Sequence, residues 1–210
     1  MTKELDKEAE PKEKTDETDE SVDNPFDALL DGIPDKSDNR MMALFGEVDE
    51  EKASELVFGL LLMSQEEEGE EKKPIEFYLS TYGGSADDMF SVYDMITLVK
   101  SKGFEIHTYG LGKVMSAGVL LLAAGTPGRR KIGKHCRIMI HSCNAGNIGD
   151  IHNLKNEMEA ISNLQDLYIN ALVDETSMTR RQLRKLLDRK VNVYLSAEEA
   201  IEYGIADEII

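Results

Sequence analysis

Residues 109–126 read YGLGKVMSAGVLLLAAGT, and Ser116 stands where this stretch changes character. Ahead of the serine the chain is spaced by glycines. Behind it runs an apolar stretch with small residues, which reads as the entry to a buried helix. A strand-to-helix turn at this point leaves the hydroxyl exposed and turns the first helical N–H groups toward it, where they can stabilise an oxyanion. Residues 136–141 read CRIMIH, a short apolar run that predicts a strand ending at His141. A histidine at a strand end can serve as the general base for such a serine. Taken singly, each residue has a plainer role: a serine before an apolar helix is most often an N-cap, and a lone histidine a hydrogen-bonded core residue. The surrounding pattern decides between these roles.

Upstream, residues 41–47 (MMALFGE) read as a first strand and 49–65 as a helix with Asp49 as N-cap. Residues 66–74 form a charged surface loop, and 75–80 (IEFYLS) a second strand. Tyr82-Gly83-Gly84-Ser85 reads as a tight turn, its glycines permitting positive φ or close backbone approach. A second helix over 86–102 and a third strand over 104–110 follow. This alternation predicts an α/β fold of βαβ units with right-handed crossovers. Function in such units gathers at the carboxyl ends of the strands. The Gly83-Gly84 turn, the Ser116 turn and the end of the His141 strand all fall there.

Downstream, 144–150 is polar and glycine-spaced, and 151–173 is a long amphipathic helix. Leu154, Met158, Ile161, Leu164, Leu167 or Tyr168, and Leu172 form its apolar stripe. Residues 179–187 read as a helix with a basic outer face. Residues 191–210 close with a short strand, a helix capped at Ser196 with Glu199 completing a capping box, and a final turn.

The 210-residue length suits one ordinary domain with a tail. Residues 1–39 are charged and poor in aromatics, too polar to offset the entropy of ordering, and read as a disordered acidic tail before a domain at 40–210. Pro25-Phe26 and Ala28-Leu29-Leu30 form an apolar island within it. The formal net charge is −17, of which residues 1–40, with 14 acidic and 6 basic side chains, contribute −8. An acidic body lacks the basic footprint that nucleic-acid binding needs. No apolar run reaches the roughly 18–20 residues of a membrane span, and the acidic N-terminus lacks the apolar segment of a secretory signal, so a cytosolic protein is expected. Cys136 and Cys143 make no disulfide framework. With His135 and His141 they are the one candidate metal set, and a poor one, because alternate strand residues point to opposite faces. No metal or cofactor is expected.

Four motifs, in order and with compatible spacing, resemble those of the proteolytic subunit of the Clp protease (ClpP), a serine endopeptidase family of ClpP/crotonase fold. Tyr82-Gly83-Gly84-Ser85 is similar to the family's S-P-G-G-S turn. Residues 112–125 (GKVMSAGVLLLAAG) are similar to G-x-A-A-S-M-x-x-x-L-L-A-A-G, Met139-Ile140-His141-Ser142 to M-I-H-Q, and residues 194–209 to the closing F-L-S-A-x-E-A-x-x-Y-G-L-I-D segment. The resemblance covers about Arg40 to Ile210. It implies an α/β fold of repeated ββα and βαβ units with a protruding handle of a strand (144–150) and a long helix (151–173). It implies Ser116 as nucleophile, His141 as general base, and the backbone N–H groups of Gly84 and Ala117 as oxyanion donors. The family's third triad member ends a D-T-x-R-D segment; here 188–192 read DRKVN, which places Asn192 at that position and Asp188 at the first aspartate, as the alternative. Asparagine can orient a histidine but supplies no charge for an imidazolium.

The resemblance further implies a tetradecamer of two stacked seven-membered rings, unfolded polypeptide or peptide substrates, and an AAA+ Clp unfoldase docking near Tyr78. It departs from the family at Tyr82, which stands for proline, at Met115-Ser116-Ala117 for A-S-M, at Cys143 for proline, and in the long acidic N-terminal region. Two other readings remain: a catalytically impaired structural or regulatory ring subunit, and a crotonase-type acyl-CoA enzyme, which would have no need of this serine and histidine.

Overall fold

The computed structural model describes residues 40–65, 72–188 and 191–210, and residues 40–210 form one compact unit. The expected acidic tail, its apolar island and most of the 66–74 loop lie outside the described residues.

Strands β1 (Met41–Val48), β2 (Ile75–Gly84) and β3 (Ile106–Met115) pair in parallel, joined by helices α1 (Glu50–Met63) and α2 (Ala86–Ser101). The helices begin where the sequence supplies caps. Asp49 accepts the Lys52 N–H at 2.8 Å, and Ser85 accepts that of Asp88 at 3.3 Å. Along β2 burial alternates: Ile75, Phe77, Leu79 and Thr81 are buried, and Tyr82 is exposed. The buried face meets the helices. Its opposite, carrying Tyr78, Tyr82, Tyr109 and Lys113, is partly open.

Strand β3 is the branching point. Its first half pairs with β4 (Arg130–Ile132), which pairs in turn with β7 (Glu208–Ile209). Its second half pairs with β5 (Arg137–Ile140), and β5 pairs antiparallel with β6 (Val193–Leu195). The fork carries β5 beyond β4 to the carboxyl end of β3. Helix α3 (Ala117–Ala123) then plunges into the core, with Leu120, Leu121 and Leu122 fully buried. Each contributes roughly 1.5–3 kcal/mol and anchors the turn before it.

Helix α4 (Ile151–Glu175), α5 (Arg180–Leu187) and α6 (Ala197–Glu202) complete the chain, the last with the expected Ser196/Glu199 capping box.

Four expectations are corrected. Tyr82–Ser85 is not a tight turn: β2 runs through Gly84, because Glu47 and Val48 continue the ladder with Gly83 and Gly84. β3 runs five residues past its expected end at Gly110, to Met115, with Gly112 at φ 65° absorbing an irregularity in the pairing. The handle's strand is absent: 144–149 have no regular structure and are exposed, with no ladder partner among the described residues. The α4 stripe is buried only near its carboxyl end, at Tyr168, Ile169, Ala171 and Leu172, whereas Met158 is 72% exposed. The short strands β4 and β7 carried no signal of their own.

Candidate active site

The carboxyl end of β3 delivers Ser116 in an unusual conformation. Its φ is 52° and ψ −122°, and it is the only described non-glycine residue with positive φ. A non-glycine residue held there costs on the order of 1–3 kcal/mol, so its surroundings must impose it. They do so from both sides. The Ser116 N–H donates to Met139 O at 2.7 Å, and Tyr168 Oη donates to Ser116 O at 3.0 Å. Ser116 occupies the N-cap position of α3, yet its side chain caps nothing, which frees the hydroxyl.

Gly83 and Gly84 lie against this elbow. A Cβ on Gly83 would stand 2.6 Å from Ser116 Cβ and 2.8 Å from Met115 O, and one on Gly84 would run into Val48 O. With φ of 97° and 156°, both need the freedom of glycine. Ala117 opens α3, so its N–H belongs to the set that a helix leaves without an internal partner.

β5 brings the histidine. Met115 pairs with Met139, which sets the chain after β3 beside the chain after β5. His141 Nδ1 lies 2.6 Å from Ser142 O. A carbonyl only accepts, so Nδ1 carries the hydrogen, and in the neutral ring Nε2 is left with the lone pair, the tautomer a general base requires.

Ser116, His141, Gly84 and Ala117 line one cavity of about 360 Å³. Its walls include Met89, Ile161, Leu164 and Tyr168, and Tyr82 stands at its rim, 69% exposed. Cys143 lines it too, but burial pushes its thiol pKa up, away from the nucleophilic thiolate. Its N–H donates to Gln165 Oε1 at 3.1 Å.

The third position is not assembled. Asn192 is exposed and outside the cavity, and among the described residues it makes no hydrogen bond to His141. In the β5–β6 register Ile140 pairs with Val193, so one further rung would oppose His141 and Asn192. Asp188, at the C-cap of α5, is exposed and lines a different surface depression. The resemblance missed that Ser142 O holds the imidazole. It also missed Tyr168, read only as part of an apolar stripe. A tyrosine on such a stripe was the one available signal, since a buried hydroxyl seeks a partner.

A parallel α/β sheet whose strand ends converge on a strained serine and a correctly tautomerised histidine suits serine-hydrolase chemistry. The sequence pattern of the Clp protease family matches residues 30–210. The chain is 36% identical over 172 residues to the ATP-dependent Clp protease proteolytic subunit 3 of Synechococcus sp. strain CC9902, covering 81% of this chain and 82% of the relative. It is 31% identical over 187 residues to the proteolytic subunit 1 of Corynebacterium glutamicum, covering 89% and 83%. It is 33% identical over 171 residues to subunit 2 of Corynebacterium efficiens, covering 81% and 82%. The chain belongs to the Clp protease family, and its kind of activity is that of a serine peptidase. The reading as a non-catalytic ring subunit is not favoured. No helix among the described residues is long and apolar enough to cross a membrane.

Proposed function

We propose that this chain is the proteolytic subunit of an ATP-dependent Clp-type protease. It cleaves unfolded polypeptides in the cytoplasm, inside a chamber of two stacked seven-membered rings fed by an AAA+ unfoldase. Ser116 attacks the scissile carbonyl while His141 Nε2 takes its proton. The N–H groups of Gly84 and Ala117 receive the oxyanion, and losing one such donor costs roughly 10²–10³ in rate. His141 then donates the proton to the leaving amine, and water repeats the sequence on the acyl-enzyme. The strained Ser116, unused as a cap and sharing a cavity with His141, carries this reading. Asn192 orients the histidine in the assembled protease, with Asp188 as the alternative. Before assembly the Ser142 carbonyl holds the ring.

A fluorophosphonate probe tests the nucleophile. Labelling should vanish in Ser116→Ala and persist in Cys143→Ala. The reverse pattern would transfer the role to Cys143.

A further inference from the structure

The open face of the sheet bears a row of four side chains that crosses four strands. Tyr82 lies on β2, Lys113 on β3, Arg137 on β5 and Tyr194 on β6. Lys113 and Arg137 are partners in the β3–β5 register, so two cations stand on one rung. Like charges directly opposed across a ladder destabilise it. Each cation turns outward onto an aromatic ring: Lys113 Nζ is 4.6 Å from the Tyr82 centroid and the Arg137 guanidinium 5.7 Å from that of Tyr194. Among the described residues neither has an ion pair or a hydrogen bond. Tyr82 and Tyr194 are 69% and 53% exposed. An unneutralised cation pair between two exposed rings is unusual on a chain of net charge −17.

The helical side of the molecule carries the opposite pattern. A depression between α2 and α4 is lined by Asp87, Asp94 and Asp174 together with Phe90 and Leu167. All three carboxylates are exposed and, among the described residues, none has a cationic partner. Leu167 is 55% exposed. Helix α2 packs with α1 and α3 on the buried side of the sheet, so this groove and the cationic row lie on different faces of the molecule.

We propose that the cationic row of Lys113 and Arg137 seats in the Asp87/Asp94/Asp174 groove of a second copy of this chain, forming the side-to-side contact within a ring. Two different, mutually complementary patches on one chain make a heterologous contact, which propagates head to tail and closes when the rotation allows. The carboxylates neutralise the paired cations, while Tyr82 and Tyr194 meet Phe90 and Leu167. The inference rests on the ring assembly proposed above and goes beyond it by naming the residues of one contact. The contact would fix Tyr82, and hence one rim of the Ser116 cavity, only in the assembled ring.

Charge exchange tests it, with oligomer mass read by sedimentation velocity and folding by circular dichroism and thermal unfolding. The wild type should sediment as rings that weaken as salt rises. K113E/R137E and D94K/D174K should each remain folded and associate roughly a hundredfold more weakly, since like charges then face each other. The chain carrying all four substitutions should recover rings, because both patches are inverted together. Rings that persist in both double variants, or a folded quadruple variant that stays dissociated, would overturn the proposal. A wild type that is monomeric at every concentration would instead sink the ring assembly on which it rests.

Discussion

The elbow at Ser116 and the amino half of α4 are built on opposite terms. At the elbow every constraint is internal: β3 is paired on both sides, Met139 O and Tyr168 Oη hold the serine backbone, and Leu120–Leu122 are fully buried behind it. At the start of α4, Ile148 is 99% exposed, Ile151 64% and Met158 72%, and the segment before it lacks a strand. One region finds all its partners within its own chain. The other displays apolar surface of the kind that marks an interaction site. The Ser116 elbow is therefore held by a single chain, while the amino half of α4 leaves its apolar side uncovered.

Ser116→Ala should leave the fold intact and lower peptide cleavage by roughly 10⁶, the scale on which removing such a nucleophile acts. Measurable turnover of a fluorogenic peptide, with rings present, would show that the elbow is structural.

The next effect concerns the one part of the site that the isolated chain leaves open. Asn192→Asp should raise turnover by up to about 10⁴, because a carboxylate favours the protonated histidine formed as the serine attacks. Continued by one rung, the β5–β6 register would place position 192 opposite His141 for this. Steady-state cleavage by wild type, Asn192→Asp and Asp188→Ala, with assembly checked, decides it. No gain in the first variant and a large loss in the second would move the orienting role to Asp188.

A smaller effect is expected at the amino half of α4. Met158→Asp should leave thermal unfolding of the dissociated chain near that of wild type, since the residue is 72% exposed. It should weaken ring association by at least about a hundredfold if the α4 surface is the centre of a contact. Destabilisation of the subunit itself would show that Met158 is core.

The elements that sequence disclosed follow the same division. Helices α1 and α6 were legible because Asp49 and Ser196 are local caps before apolar periodicity. Ser116 and His141 were legible because an abrupt change from glycine spacing to an apolar run marks a strand-to-helix transition. What sequence hid was set by distant pairing. β2 and β3 extend because β1 and β5 hold their ends, the three-residue strand β4 exists only through β3 and β7, and the two-residue β7 only through β4. The stripe of α4 looked uniform, since periodicity records which side is apolar and not whether the same chain covers it. The role of Ser142 O was invisible because it arises from a backbone atom.

The mildest expected effect lies outside both regions, where Asp207 ties the carboxyl terminus to β4. Its carboxylate accepts from Gly128 N at 2.7 Å and from Arg130 N, Nε and Nη2 at 3.0, 2.8 and 2.5 Å. Arg130 is also bound to the carbonyls of Ala123 and Glu175. Burial alone would raise the Asp207 pKa; the hydrogen bonds and charge of Arg130 more than reverse this and hold it below the ordinary 3.8. A carboxylate with a lowered folded-state pKa stabilises the fold above its unfolded pKa, and this contribution fades as pH falls through the lower folded value. Asp207→Asn should therefore cost about 2 kcal/mol near pH 7, less than a fully buried pair because the side chain is 23% exposed. In a domain of this size that lowers the melting temperature by roughly 4–8 °C. The gap between wild type and variant should hold from pH 7 to about 5 and close below 4 as the wild-type carboxylate becomes protonated. A gap that persists undiminished to pH 2, or none at pH 7, would show that the packing around Arg130, and not the charge pair, joins the terminus to the sheet.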